Sequence, residues 1–297
     1  PKVSGTITLA DVTQVFTGTA AQMQAAFSGG LAGTQTGAVT ISDTEGTITA
    51  TTLKAIGEQT DGVVTATGAI TISGTTEQVT DALVTESSLV VASNASAAVT
   101  LSDDPTGAQL ALINPKVSGT ITLNDTTQNF AGTGTQLAAA FNGFGTNALS
   151  GGITINAGAI TAADLKTISD ATSGAITLPS TDFALEGSSA VIAAALSGNF
   201  AGYDGAITLT DASPDPANLK IINDASAGTI TLNDNTATFT ASAAVMKAVF
   251  DGGLENTQTG AVTISDTEGT IAATTLTDIT AQTNGTVTAA AAGITIS

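Results

Sequence analysis

Apolar and polar residues alternate in short runs that return along the whole chain. The first kind of run is TITL or AITL, which places Ile and Leu on one side and Thr on the other, with the period of two of a β-strand. It occurs at 6–9, 120–123, 175–178 and 229–232. A second kind, AVTIS, AVTLS, GITIN or AITLT, begins at residues 38, 98, 152, 206 and 261. Both predict half-buried strands with Ile and Leu inside and ladders of Thr outside.

Short helices are predicted between these strands. One type is AAQMQAAF at 20–27 or SAAVMKAVF at 242–250, and its last residue follows an apolar residue of the preceding extended piece by eleven positions. The pairs are Phe16/Phe27, Ile72/Leu83, Phe130/Phe141, Leu185/Leu196 and Phe239/Phe250. The constant spacing indicates that both members pack into the same layer. We therefore interpret the aromatic pairs as core and not as ligand-binding residues.

The other helix type is clearest in TAADLKTISDATSG at 161–174 and DPANLKIINDASAG at 215–228. Thr161 is predicted as an N-cap, with an acidic residue three positions on that approximates a capping box. Asp215 before Pro216 is predicted as an N-cap followed by the first helical residue. The apolar pairs that a helix would turn inward are Leu165 with Ile168 and Leu219 with Ile222.

Internal copying is the strongest feature of the sequence. TQTGAVTISDTEGTI occupies 34–48 and again 257–271, and PKVSGTITL opens the chain and returns at 115–123. The copies define a repeat unit of about 56 residues that closes on a small-residue turn ending in Gly. Within one continuous array over 1–297, the predicted units are 6–62, 63–119, 120–174, 175–228, 229–285 and the partial 286–297. Because the array is incomplete at both ends, we expect each end to abut other copies or continuing repeats of the same chain.

The order of elements predicts the fold class. A strand that returns beside its predecessor after a helix must be parallel to it. Repetition of this step predicts a right-handed α/β solenoid, in which strand-helix coils form a parallel β-sheet wall with short helices on the opposite side. The general shape would be like that of leucine-rich-repeat coils, although the consensus of that family is absent.

Composition supports a stacked architecture and argues against an enzyme. Hydrophobic residues make up 42% of the chain and the mean hydropathy is +0.32, which disfavours disorder, yet aromatic residues make up only 3%. Because the chain has no His and no Cys, it lacks nucleophilic triads, thiol chemistry and zinc sites of the usual kind. A carboxylate pair for glycoside hydrolysis needs a cleft usually lined by aromatic residues. We expect no catalysis and no cofactor other than Ca²⁺.

The charge balance restricts the partners. The formal net charge is -19, with six Lys or Arg residues against 25 acidic residues. Clustered cations that would bind nucleic acid or an anionic membrane surface are absent. No apolar run approaches the roughly 18 residues that span a bilayer, so no membrane-spanning segment is expected.

Aspartate recurs just past the ends of the predicted strands. Asp11, Asp125 and Asp234 follow the first strand of a unit, and Asp43, Asp103, Asp211 and Asp266 follow the third. One interpretation is a row of carboxylates that bind Ca²⁺ through hard oxygen ligands. The other is ordinary turn chemistry, in which the side chain accepts a hydrogen bond from a nearby backbone N–H. The best metal candidate is SDTEG, with Asp43 and Glu45 or with Asp266 and Glu268.

The phrases LKTISDATSGAITL at 165–178 and LKIINDASAGTITL at 219–232 resemble the repeats of giant Ala/Thr/Gly-rich cell-surface proteins of cyanobacteria. The resemblance covers nearly the whole chain, is most faithful over 120–297 and is poorest over 63–119. It implies an extracellular or cell-surface location and a surface filament, a layer such as an S-layer, or an adhesin, of a group partly associated with motility. It carries no catalytic residues.

Three functions are therefore considered. The leading hypothesis is a structural component of an extracellular filament, surface layer or matrix. The alternative is a calcium-dependent adhesin segment, and a more remote one is an ice-binding solenoid with flat Thr ladders. Thr-x-Thr occurs at Thr6/Thr8, Thr47/Thr49, Thr120/Thr122, Thr229/Thr231 and Thr286/Thr288. Sequons at Asn94, Asn124 and Asn284 permit glycans in a secreted setting.

Overall fold

Strands and helices alternate along the whole chain in the computed structural model. It describes residues 5–29, 31–85, 90–92, 96–146, 148–156, 160–178, 183–199, 202–255, 257–289 and 293–297. The PKVS of the first residues and the sequon at Asn94 lie outside these ranges. The chain is an α/β protein, as its alternating pattern predicts. It divides into an N-terminal part, residues 1–130 with 136–145, and a C-terminal part, residues 131–135 with 146–297.

The strands are short. They are β1 Phe16–Gly18, β2 Val39–Ile41, β3 Thr47–Thr49, β4 Val64–Ala66, β5 Thr71–Gly74, β6 Val90–Val91, β7 Ala98–Leu101, β8 Ile121–Thr122, β9 Phe130–Gly132, β10 Ile153–Ile155, β11 Ile176–Thr177, β12 Leu185–Gly187, β13 Ile207–Leu209, β14 Ile230–Thr231, β15 Phe239–Ala241, β16 Val262–Ile264, β17 Gly269–Ile271, β18 Val287–Ala289 and β19 Ile294–Ile296. Each has at most four residues, so no strand is stable without its neighbours.

The helices are equally brief. They are α1 Ala20–Phe27, α2 Ala50–Gly57, α3 Thr76–Leu83, α4 Gly107–Ile113, α5 Gly134–Phe141, α6 Ala162–Ala171, α7 Ser189–Leu196, α8 Pro216–Ala225, α9 Ala243–Phe250 and α10 Ala273–Ala281. A 3₁₀ turn at Asn114–Lys116 follows α4. In the ranges that the structure describes, no helix has the length and apolarity needed to cross a membrane.

Each helix with its preceding strands forms one strand-helix segment, which we number by its helix. Odd segments contain α1, α3, α5, α7 and α9, and even segments contain α2, α4, α6, α8 and α10. Strands β18 and β19 occupy the next odd position. Each predicted repeat unit from 6–62 to 229–285 contains one odd and one even helix. The unit boundaries themselves stay a prediction.

Strands of successive segments pair in parallel, which confirms the predicted direction. Val39 of β2 lies opposite Phe16 of β1 on one side and Val64 of β4 on the other. The same arrangement joins β15, β16 and β18 in the C-terminal part. Backbone hydrogen bonds therefore link each segment to the next one along the chain.

The sheets differ from the single wall that the sequence predicts. The described residues form separate small sheets, with the orders β1-β2-β4-β6, β3-β5-β7-β8, β11-β10-β9, β12-β13-β14, β15-β16-β18 and β17-β19. Some segments carry two strands separated by a bend, and these strands join different sheets, as β2 and β3 do. Several narrow sheets therefore replace one continuous wall.

The core follows the predicted alternation. Val39, Ile41, Val262 and Ile264 are completely buried, as are the helix residues Leu165 and Ile168. The ring centroids of Phe16 and Phe27 lie 5.5 Å apart, those of Phe130 and Phe141 5.2 Å, and those of Phe239 and Phe250 6.4 Å. Thr side chains pair in rows between strands, namely Thr17, Thr40 and Thr65, and Thr240, Thr263 and Thr288. The three aromatic pairs and the rows of Thr at matching register positions are thus confirmed. Ile72, Leu83, Leu185 and Leu196 are buried, and their contact as pairs stays a prediction.

Helix starts also follow the sequence. The Thr161 hydroxyl accepts the N–H of Asp164 at 3.0 Å, and the Asp215 carboxylate accepts the N–H of Ala217 at 2.8 Å. Both predicted N-caps are confirmed. Full capping boxes occur at α1, α3 and α4, where Thr19, Thr75 and Thr106 are the caps.

The Gly that closes each repeat unit is needed because neighbouring backbones touch there. A Cβ on Gly62 would lie 2.2 Å from the carbonyl oxygen of Gly37, and one on Gly228 would lie 1.9 Å from that of Gly205. Neither obstacle is a side chain that could turn away. Any residue larger than Gly would therefore force two segments apart.

We expect Gly228→Ala to lower the free energy of unfolding by about 3 kcal/mol, because overpacking against backbone cannot relax locally. Gly187→Ala is the matched control in the same part of the chain. Its nearest atom would be a side-chain carbon at an ordinary 3.4 Å, and the corresponding strand position in another repeat is Ala241. Denaturant unfolding of both variants measures the difference. Equal losses would show that close segment contact at Gly228 is not what limits stability.

Candidate functional site

Four of the predicted metal-ligand carboxylates lie at junctions between an odd segment and the even segment that follows it. Each accepts a hydrogen bond from the backbone N–H of the first residue of the odd helix. The donors and acceptors are Ala20 to Asp43 at 2.7 Å, Thr76 to Asp103 at 2.7 Å, Ser189 to Asp211 at 2.8 Å and Ala243 to Asp266 at 2.7 Å. The carboxylate of one segment thus caps the helix of its neighbour.

Strand register produces this contact. Gly18, the last residue of β1, lies opposite Ile41, the last residue of β2. Two residues beyond each of these strand ends lie Ala20, the first residue of α1, and Asp43. The backbone N–H of Ala20 donates to the Asp43 carboxylate there. The other three junctions repeat the same register. In the remaining even segment the corresponding residue is Ala157, which lies outside the described ranges.

Each of these helices has two caps: the Asp carboxylate from the neighbouring segment and a hydroxyl from the residue just before the helix. At α1, the Thr19 hydroxyl accepts the N–H of Gln22, whereas Asp43 accepts that of Ala20. At α3 and α7, the hydroxyl of the first helical residue also donates to the neighbouring Asp. A helix N-terminus has four N–H groups without helical partners and a partial positive charge. An ionised Asp satisfies one of these groups and is attracted to that charge.

The three other predicted carboxylates have a local role. Asp11, Asp125 and Asp234 each accept hydrogen bonds from the backbone N–H and the hydroxyl of the Thr two residues later. The Thr hydroxyl, and then the backbone N–H, hold the pKa of each carboxyl below its usual value. The stabilisation is present above the unfolded pKa and is lost as the pH falls through the folded one. For these three residues the turn interpretation is confirmed.

Glu45 and Glu268, the partners of Asp43 and Asp266 in SDTEG, are exposed. Across the described ranges, no three acidic side chains converge on a point where they could hold a metal ion. The carboxylates Asp43, Asp103, Asp211 and Asp266 are instead spaced one per junction. Calcium binding stays a prediction.

Two of the junctions from an even segment to the next odd one use asparagine. Asn114 donates to the carbonyls of Ala139 and Asn142 at the end of α5, at 2.9 and 2.7 Å. Asn223 donates to the carbonyl of Ala248 in α9 at 2.6 Å. Sequence reasoning did not single out these residues. The shared position, four residues after a buried Leu of the even helix, was the available signal.

A buried hydroxyl in the T-x-G turn that closes a unit was also missed. Thr60 donates to the carbonyl of Gly37 in the preceding segment and accepts the N–H of Gly62, both at 2.9 Å. Thr172 makes the same two bonds at the corresponding turn, to Gly151 and Gly174. Because these hydroxyls are buried, their removal would leave backbone groups unsatisfied.

Ion pairs reinforce two junctions at the surface. Lys54 contacts Glu58 at 3.2 Å and Asp81 of the next segment at 3.4 Å. Lys247 contacts Asp251 at 2.7 Å and Asp278 of the next segment at 2.8 Å. These hydrogen bonds raise the pKa of both lysines, so they remain charged. Exposed pairs of this kind contribute little stability individually.

Tyr203 borders a concavity of the C-terminal part. This concavity has a volume of about 580 Å³ and is lined by residues 202–204 and 224–227. The hydroxyl of Tyr203 donates to the carbonyl of Phe183 at 2.5 Å. Burial raises the pKa of this phenol above its usual range, so it stays protonated. We therefore assign Tyr203 to the core.

Asp43→Ala and Glu45→Ala distinguish helix capping from calcium binding. We expect Asp43→Ala to lower the free energy of unfolding by about 1 kcal/mol with or without EDTA, because the lost contact is an N-terminal cap. Glu45→Ala should have no measurable effect, and EDTA should not change the melting temperature of the parent chain. Asp43→Asn, which keeps a neutral acceptor, should lose less than the Ala variant. Equal losses at both positions that vanish in EDTA would instead establish the calcium site.

No known family model, curated protein or solved structure matches the chain.

Proposed function

We propose that this protein is a structural component of an extracellular filament, surface layer or matrix, built from stacked tandem repeats and without catalysis. In this proposal each part of the chain is a section of an α/β solenoid. The observation that carries it is the repeated odd-to-even junction. At four places, the same strand register brings an Asp onto the first N–H of the neighbouring helix.

Such repetition favours a structural role, because each segment offers its neighbour a strand to pair with and polar groups for hydrogen bonds. Strands of two to four residues and helices of seven to ten cannot bury a core alone. Stacked repeats gain stability mainly from nearest-neighbour contacts. The proposed partners are accordingly other copies or continuing repeats of the same chain, end to end.

The polar groups of the described segments favour a scaffold over an enzyme. Asp43, Asp103, Asp211 and Asp266 are engaged in helix capping, and Asp11 and its two counterparts are engaged in turns. With no His and no Cys in the sequence, few groups remain that could transfer a proton near neutral pH.

The location is proposed from the resemblance to giant cyanobacterial cell-surface repeat proteins and from the charge. A formal net charge of -19 keeps neighbouring assemblies apart by mutual repulsion. It is compatible with a crowded surface layer whose lateral spacing is set by electrostatics.

Antibodies raised against the chain test the proposal. We expect them to label producing cells without permeabilisation and, in immunogold electron microscopy, to mark filaments, a layer or matrix outside the cell. A cytoplasmic protein probed in parallel should stay unlabelled until the cells are opened. Labelling that appears only after permeabilisation would contradict the proposed location and with it the function.

A further inference from the structure

The junction between segments 6 and 7, in the C-terminal part, contains a polar cavity. Its volume is about 330 Å³, which lies at the lower end of the range for small-molecule sites. The described residues that line it come from the end of α6, from the loop after α7 and from Thr146, and most of them carry a hydroxyl. None of these described lining residues is aromatic.

The cavity lies where two other junctions hold an asparagine. Ser169 occupies the position that Asn114 and Asn223 have in their segments, four residues after a buried Leu. The Asn223 side chain fills this place in segment 8, because a Cβ on Gly252 would lie 1.5 Å from its Oδ1. Ser169 is shorter, and the corresponding glycine, Gly198, lines the cavity.

The backbone has the same register at the two junctions. The N–H of Ile176 donates to the carbonyl of Asn199 at 2.8 Å, and the N–H of Ile230 donates to the carbonyl of Gly253 at 2.6 Å. The backbone groups that surround Asn223 therefore have counterparts around the cavity.

Asn223 shows which chemistry this place binds. Its amide donates to the carbonyl of Ala248 at 2.6 Å and accepts the N–H of Gly253 at 3.1 Å. A carboxamide thus satisfies a carbonyl near the end of a helix and a backbone N–H in the loop that follows. At the cavity the corresponding backbone groups belong to Ala194 and Asn199.

One hydroxyl that lines the cavity is buried and has no protein partner. Ser169 is 7% exposed, and no hydrogen bond joins its side chain to any other of the described residues. Buried polar side chains in proteins are nearly always hydrogen-bonded. This hydroxyl therefore indicates a ligand that supplies the missing partner.

The surroundings favour a neutral ligand that carries hydroxyls. The cavity lies at the C-terminal ends of α6 and α7, where carbonyl groups carry a partial negative charge. The carboxylate of Asp170, which is paired with Lys166, adds to that charge, so an anion such as phosphate is disfavoured. The exposed side chains of Ser173, Ser197 and Asn199 can exchange hydrogen bonds with the ring hydroxyls of a sugar.

We propose that this cavity binds an N-acetylated amino sugar, free or as one unit of a longer saccharide. Such a sugar combines a carboxamide with ring hydroxyls. The acetamido group takes the place that the Asn223 side chain fills in segment 8 and reaches the hydroxyl of Ser169, and the ring hydroxyls meet the exposed polar side chains. Saccharide binding goes beyond a scaffold role and does not depend on it.

Ligand-observed NMR with N-acetylglucosamine tests the site on the full chain. We expect a Kd of about 1 mM, because a ligand of this size is held weakly without aromatic stacking. Glucose, which has a hydroxyl in place of the acetamido group, should bind at least tenfold more weakly. Equal binding of the two sugars, or no binding of N-acetylglucosamine, would overturn the proposal.

Ser169→Asn provides the sharpest variant, because it introduces the side chain that the fold itself uses at this position. We expect this variant to keep the melting temperature of the parent chain or exceed it, and to bind N-acetylglucosamine at least tenfold more weakly. Ser169→Ala removes a hydroxyl without a protein partner, so it should fold and bind about threefold more weakly. Thr167→Asn, on the same helix outside the cavity, is the matched control and should bind as the parent does.

Undiminished binding by Ser169→Asn would show that the sugar is held elsewhere and would contradict the proposal. Because binding is measured on the purified chain, its outcome is independent of the cell-labelling result that tests the proposed function.

Discussion

Parallel pairing between successive short segments is the constraint on which the rest of this structure depends. Each strand satisfies its backbone through a neighbour in the next segment, because a strand of two to four residues cannot do so alone. The register of that pairing brings Ala20 to Asp43 and Gly62 to Gly37. Helix capping, the need for Gly and the burial of Thr60 are all consequences of this one arrangement.

The junctions between segments explain how a chain with so few aromatic and charged residues can fold. Apart from a few aromatic residues such as Tyr203, Phe141 and Phe239, the core side chains are small to medium, so a single layer buries little surface. Contact between layers adds backbone hydrogen bonds, a carboxylate at a helix N-terminus and, at Asn114 and Asn223, amides at helix ends. These polar contacts repeat with the sequence, so duplication of a segment duplicates both halves of its interface.

Much of the fold could be predicted from the sequence because local patterns determine it. Alternation identified most of the strands, Thr161 and Asp215 identified helix starts, and the constant spacing identified Phe16 with Phe27. The strand predicted at 6–9 is wrong, because this stretch forms only an isolated bridge from Ile7 to Leu31, and Ile7 is exposed. Two features required knowledge of register. The division into several narrow sheets depends on bends within a segment, such as that between β2 and β3. The role of Asp43 depends on a residue 23 positions earlier, which no local rule connects to it.

The same distinction separates the two sets of aspartates. Asp11 bonds to a residue two positions away, so turn chemistry was sufficient to identify its role. Asp43 and Asp103 follow a strand in the same manner but act across a junction. A search for Asp in phase with helix starts of the preceding segment would have found them.

The central claim is that segments are stable because of their neighbours. Native-state hydrogen exchange measured along the whole chain tests it most directly. The account predicts strong protection in β4 and β5, which pair with strands on both sides. It predicts weak protection in β18 and β19, which pair with β16 and β17 in the same register as β4 and β5 pair with β2 and β3, but which have a paired strand on one side only among the described residues. Equal protection in the two pairs of strands would contradict it.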